Sequence, residues 1–238
     1  MSKPVEDLAA ITAAVLVGGM GTRLRPVVAD RPKVLAPVRG RPFLEYLFDQ
    51  LRAAGIRSVV LCNGYLGEQL CARWGAMYEN LALHYSQETA PLGTAGALRL
   101  ALPLLQSDPV LVLNGDSFCQ VQLPAFYAWY LRCQADAALV ATSVPDAARY
   151  GKVVFDEEAR VVGFEEKGQA AGPGWINAGI YLLRRPLVAE IPENRMVSLE
   201  RELFPRWIGR GFYAYQSDGG FLDIGTPASY TRAERFFC

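Results

Sequence analysis

Between residues 12 and 116 one pattern repeats: a short β-branched or apolar run, a loop, then a helical stretch. Residues 12–17 form the first such run and end at Gly18-Gly19. Residues 43–54 then place Phe43, Leu44, Leu47, Phe48 and Leu51 on one helical face, closed by Gly55. Strand-like runs follow at 58–62, 81–85 and 110–113, with helical stretches at 67–74 and 94–102 between them. Such alternation predicts βαβ units around a parallel sheet. After about residue 135 the segments 137–143, 152–155, 160–164 and 175–183 read mostly as strands, with a turn at 169–174 and a closing helix at 227–236. The expectation is an α/β fold with a Rossmann-like, mixed but mostly parallel sheet flanked by helices. The second half would extend the sheet and lay a substrate-facing lobe over it.

Composition narrows the function classes. The 238 residues carry 24 Lys+Arg against 24 Asp+Glu, and no basic stripe stands out, so a nucleic-acid partner is not expected. No apolar run approaches the ~20 residues of a membrane span, and Glu6 and Asp7 stand where a signal peptide would be basic, so the expected setting is cytoplasmic with no membrane partner. The five cysteines (Cys62, Cys71, Cys119, Cys133 and Cys238) show no C-x-x-C spacing and read as reduced, small, buried residues. His84 is the single histidine and falls in an alternating strand pattern, which argues against histidine catalysis and multi-histidine metal sites. Phe236-Phe237 and residues 213–215 read as core aromatics, with a homodimer contact as the alternative.

Ligands of open α/β sheets bind outside the carboxyl ends of the strands, and the loops 18–33, 87–96 and 114–117 fall there. Gly18-Gly19-Met20-Gly21-Thr22-Arg23-Leu24-Arg25-Pro26 follows directly on the first strand. Its glycines let backbone N–H groups approach an anion, its arginines supply charge, and Lys33 comes shortly after. No Gly-Lys-Ser/Thr follows, so it is not a P-loop, and Leu24 replaces the third glycine of a dinucleotide fingerprint. Taken alone, the segment is equally readable as a flexible glycine turn.

Six motifs in order resolve that choice. The opening Gly18–Pro26 run with Pro32-Lys33 is followed by Leu92-Gly93-Thr94-Ala95-Gly96, Asn114-Gly115-Asp116, Phe164-Glu165-Glu166-Lys167, Asn177-Ala178-Gly179 and Asp223-Ile224-Gly225-Thr226-Pro227. Together they resemble the sugar-1-phosphate nucleotidyltransferases over nearly the whole chain, most of all the guanylyltransferases acting on mannose 1-phosphate and on D-glycero-D-manno-heptose 1-phosphate. The resemblance implies one nucleotidyltransferase domain, 1–238, with a nucleotide-binding half at 1–134 and a sugar-phosphate-binding half at 135–238. Its partners would be small molecules, an NTP and a sugar 1-phosphate. Uridylyl or thymidylyl transfer to another hexose 1-phosphate is the alternative, as is a non-catalytic regulatory subunit.

By the same resemblance Arg23, Lys33, Asp116 and Lys167 are catalytic. Leu16, Gly18, Gly19, Gly21, Thr22, Arg23, Lys33, Glu88, Gly93 and Thr94 bind the nucleotide, while Asn114, Gly151, Glu166, Lys167 and Asn177 bind the sugar phosphate. Asp116 and Asp223 are expected to hold Mg²⁺, which prefers an oxygen-only donor set. Phosphoryl chemistry of this kind runs on positioning and charge neutralisation rather than a protein nucleophile, which suits a chain with one histidine. Glu88 points to GTP, because guanine N1–H and its amino group are adjacent donors that one carboxylate accepts together, whereas uracil or thymine would oppose a carbonyl to it.

Overall fold

The computed structural model describes residues 8–19, 21, 24, 30–165 and 172–237. Its strands are β1 (Thr12–Leu16), β2 (Pro37–Val38), β3 (Arg41–Pro42), β4 (Ser58–Asn63), β5 (Met77–Tyr78), β6 (Leu81–Gln87), β7 (Val110–Asn114), β8 (Ser117–Cys119), β9 (Ala137–Val144), β10 (Lys152–Phe155), β11 (Val161–Glu165), β12 (Gly174–Leu183), β13 (Phe212–Ser217) and β14 (Phe221–Asp223). The helices are α1 (Phe43–Ala53), α2 (Glu68–Trp74), α3 (Gly93–Ala101), α4 (Leu123–Cys133), α5 (Arg185–Ala189), α6 (Phe204–Trp207) and α7 (Pro227–Phe236).

Among the described residues, eight strands form the central sheet in the order β13-β9-β12-β7-β1-β4-β6-β5. β7, β1, β4 and β6 run parallel, β12 lies antiparallel between β7 and β9, and β13 returns parallel to β9. This is the expected mixed, mostly parallel arrangement. The apolar runs explain it, since strands buried on both faces need no polar alternation. Ala13 and Val15 of β1 join the core packed by α1, α4 and α7, while Ala14 joins the opposite core packed by α3 and α5. Val59 and Leu61 of β4 divide from Val60 and Cys62 in the same way. On α1 the five residues expected on one face, Phe43, Leu44, Leu47, Phe48 and Leu51, are all buried, a stripe at helical spacing.

Three expectations are revised. The loop expected at 114–117 ends in β8, because Ser117 finds a ladder partner in Asp223 of β14. Residues 123–133, unassigned by pattern, form α4. Its apolar side chains surround much of the axis, with Leu123, Phe126 and Tyr130 buried and Tyr127, Trp129 and Leu131 packed at the edge, so the 3.6-residue period is blurred. Cys71 is exposed on α2, unlike buried Cys62 and Cys119, while Cys238 lies outside the described residues. His84 is an exposed residue of β6. The aromatic residues of the end are packed on the core, with Phe237 stacked on Tyr46 at 3.8 Å and Tyr215 edge-on to Trp129 at 5.2 Å.

Candidate active site

Chain order reverses at β1. β4 and β6 build outward on one side of it and β7 lies on the other, so the loops leaving β1 and β7 diverge. A crevice at such a reversal is where α/β sheets bind ligands. A cavity of about 750 Å³ opens there. Leu16, Gly18, Gly19 and Gly21 line it from β1 and its loop, Lys33 from the following short 3₁₀ turn, and Glu88 from the end of β6. Gly93 and Thr94 enter from the first turn of α3, and Asn114 and Asp116 from the end of β7. The structure thus gathers ten of the expected site residues around one space. Thr22, Arg23, Glu166 and Lys167 lie outside the described residues.

Lys33 forms an ion pair and hydrogen bond with Asp116 Oδ2, joining segments 83 residues apart. Both side chains stay partly solvent-accessible, at 18% and 31%. An ammonium has three donors, so Lys33 can hold Asp116 and still present N–H groups to a phosphate. The pair fixes one positive and one negative group at the mouth of the glycine turn.

Glu88 lies against the glycine turn. Its Oε2 accepts the Leu92 N–H at 3.0 Å, which shapes the 88–92 loop. Burial pushes its carboxyl pKa above the ordinary value, and the Leu92 bond partly offsets this. A Cβ at Gly18 would stand 2.8 Å from Glu88 Oε1, and one at Gly64 2.7 Å from it. A side chain at either position would have to push the Glu88 arm aside. At the start of α3 the obstacle is different. A Cβ on Gly93 would meet the Val197 carbonyl oxygen at 2.5 Å, and the backbone there has φ +71°.

Cys62 also lines the cavity, but burial pushes its thiol up to about 12, with the Glu88 charge adding to the effect. It is an apolar wall rather than a nucleophile. Tyr65 and residues 89–91 are lining residues that the motifs did not single out. The signal for Tyr65 was its place just beyond the carboxyl end of β4, where the strand-end rule applies as it does to β1.

Gly151, Asn177 and Asp223 do not line this cavity; they stand in a neighbouring network. Asn177 donates to the Tyr181 hydroxyl at 2.9 Å, and its Oδ1 accepts the Gly179 N–H at 2.9 Å within an irregularity of β12. Gly151 follows Tyr150, whose hydroxyl donates to Asp223 Oδ2 at 2.6 Å. Asp223 Oδ1 accepts from the Gly225 N–H at 3.0 Å and the Ser229 hydroxyl at 3.2 Å. The β8–β14 ladder ties this carboxylate to the other one, because Asp223 pairs with Ser117 and the Ile224 N–H donates to the Asp116 carbonyl at 2.9 Å. Among the described residues no three His, Cys, Asp or Glu side chains gather to hold a metal. The Asp116 carboxylate, in the turn between β7 and β8, and that of Asp223 on β14, with further oxygen donors from substrate and water, fit a hard octahedral cation. Asp223 accepts three hydrogen bonds and also pairs with the Arg149 guanidinium, 3.8 Å from its Oδ2.

This arrangement agrees with what the chain is similar to. Residues 12–238 match the Nucleotidyl transferase family. The chain belongs to that family and is a nucleotidyltransferase. It is 34% identical over 224 residues to the D-glycero-alpha-D-manno-heptose 1-phosphate guanylyltransferase of Aneurinibacillus thermoaerophilus, covering 94% of this chain and 96% of that relative. It is 37% identical over 226 residues to the mannose-1-phosphate guanylyltransferase of Mycobacterium tuberculosis, covering 93% of this chain but only 63% of the longer relative. Among solved structures, HddC from Yersinia pseudotuberculosis complexed with GMP-PN superposes with a TM-score of 0.84 at 30% identity, covering 96% of this chain and all of that one. No helix among the described residues is long and apolar enough to cross a membrane.

Proposed function

We propose that this nucleotidyltransferase moves GMP from GTP to a manno-configured sugar 1-phosphate, either D-glycero-D-manno-heptose 1-phosphate or mannose 1-phosphate, with Mg²⁺ as cofactor. The observation that carries the reading is the cavity wall itself. A glycine turn, the Lys33–Asp116 pair and the Glu88 carboxylate face one space at the strand-order reversal. Relatives named guanylyltransferases support the base and the sugar.

In the reaction an anionic oxygen of the sugar phosphate attacks the α-phosphorus of GTP. The new O–P bond forms as the bond to the β-phosphate bridging oxygen breaks, and that oxygen leaves with the electron pair as pyrophosphate. No proton need be removed from the nucleophile. The glycines at 18, 19 and 21 present backbone N–H groups to phosphate oxygens, Lys33 neutralises charge on the NTP, and Arg23 adds to it. Lys167 holds the incoming phosphate as a mobile point charge, and Glu166, Asn177, Asn114 and the turn at Gly151 position the sugar. Asp116 and Asp223 would hold Mg²⁺, which when bound supplies charge neutralisation to the phosphates.

The base is read by Glu88. With Oε2 held by Leu92, the carboxylate is oriented and partly desolvated, so a mismatched base edge leaves a buried charge opposite a carbonyl. A pyrophosphate-release screen crossing four NTPs with a panel of sugar 1-phosphates tests the reading. Turnover with GTP and a manno-configured acceptor is expected, and a best pair of UTP with glucose 1-phosphate would replace it.

A further inference from the structure

Beside the cavity stands a carboxylate that no motif above uses. Glu200 belongs to the π-helical turn Leu199–Leu203, an uncommon geometry that recurs at functional positions. Its Oε2 accepts from the Thr94 hydroxyl at 3.0 Å and from the Ser198 hydroxyl at 3.1 Å. Thr94 in turn accepts the Leu199 N–H at 2.8 Å. The π turn is thereby docked on the first turn of α3, at a residue that lines the cavity.

A second side of the same spot is polar. The Tyr181 hydroxyl accepts from Asn177 Nδ2 at 2.9 Å and from Asn114 Nδ2 at 3.4 Å, and the Glu200 charge acts on that hydroxyl. Thr94 and Asn114 thus line one cavity from α3 and β7, the first bonded to Glu200 and the second, through the Tyr181 hydroxyl, joined to Asn177. Asn114 Oδ1 is buried there with no hydrogen-bond partner among the described residues. Glu200 is half-buried: Oε2 accepts two hydrogen bonds, while Oε1 accepts none from a described residue. A docking staple between α3 and the π turn needs only Oε2. A neutral Gln or Ser would serve that role without keeping a charge beside a buried tyrosine.

We infer that Glu200 is a specificity-determining residue, whose free Oε1 accepts a hydroxyl of the bound sugar 1-phosphate. The inference rests on the sugar-1-phosphate reading above. A carboxylate is acceptor-only, so it selects a sugar that presents an O–H donor at that ring position and disfavours one with the hydroxyl missing or replaced by an acceptor.

The test is a cycle of enzyme and substrate changes on the full-length protein. The unmodified enzyme and Glu200→Gln are each assayed with the sugar 1-phosphate that turns over best and with its monodeoxy analogues at each ring position. One analogue should cost the unmodified enzyme about 10- to 100-fold in kcat/KM, the scale of losing a hydrogen bond to a charged group. Glu200→Gln should cost the parent sugar a similar factor, chiefly through the sugar KM, with that analogue losing little more and the KM for GTP within about twofold. Glu200→Asp, which keeps the charge but draws it back, enters the same cycle should Glu200→Gln not fold. Losses that multiply independently for every analogue, or equal shifts in the GTP and sugar KM, would reduce Glu200 to a staple and overturn the inference. Absence of turnover by the unmodified enzyme with any sugar 1-phosphate overturns the underlying reading as well, which separates the two failures.

Discussion

The two walls of this site are built differently. The wall proposed for the nucleotide consists of the ends of parallel strands β1, β4 and β6, and its shape comes from backbone and glycine, with the Glu88 side chain lying across Gly18 and Gly64. The side proposed for the sugar is held by side chains from distant segments. Tyr150 reaches Asp223, Asn114 reaches Tyr181, and Thr94 reaches Glu200, across sequence separations of 73, 67 and 106 residues. The difference teaches that one wall is set by the fold and tolerates little change in main-chain geometry. The other is set by hydrogen bonds that single substitutions can remove.

The largest effect is expected where the walls meet. Asp116→Asn or Asp223→Asn should leave a folded enzyme with kcat lower by ~10²-fold or more, the scale of losing one important electrostatic stabiliser. The double substitution should cost much less than the product of the two if, as proposed, both carboxylates serve one cation. Full activity of Asp223→Asn, or turnover undiminished by EDTA, would show that the walls do not share a metal. A smaller effect separates the walls. Lys33→Ala should raise the KM for the NTP about tenfold or more, and Lys167→Ala that for the sugar phosphate, because each removes a point charge from a different anion. If Lys167→Ala moved only the NTP constant, the assignment of the two walls would be wrong.

Within the nucleotide wall, Glu88→Gln should narrow the preference for GTP over UTP while leaving the dependence on Mg²⁺ intact, checked by kcat/KM ratios. The smallest effect is on stability. Burial raises the Glu88 pKa in the folded state above its ordinary 4.5, so folding favours the protonated form. That contribution is complete below pH 4.5 and is lost as the pH rises through the folded value. Glu88→Gln removes the dependence, so its Tm relative to the unmodified enzyme should rise between about pH 4 and about pH 7. A relative Tm that falls over this range would mean that Glu88 gains more from its partners when charged than it loses by burial.

The same contrast governs how much of the molecule can be read in the sequence. Strands β1, β4 and β7 are apolar runs bounded by glycine or polar turns and β6 is an alternating one, and local pattern alone locates them together with α1 and α3. The cavity follows from the strand-end rule, and Lys33 and Asp116 meet in it although they are 83 residues apart in sequence. β8 and β14 are three residues each and exist through mutual pairing, so no local period announces them. Glu200 was illegible for a related reason. It draws its meaning from Thr94, and that contact leaves no trace in the spacing of residues along the chain.

The most direct test of the central claim is the ratio of kcat/KM for GTP to that for UTP, measured with the unmodified enzyme at a fixed concentration of mannose 1-phosphate or D-glycero-D-manno-heptose 1-phosphate. A carboxylate that accepts both guanine donors and opposes a uracil carbonyl predicts a preference for GTP of at least ~10-fold, the minimum expected when a buried polar edge is mismatched. Equal specificity constants for the two nucleotides would contradict the account, whatever sugar the enzyme accepts.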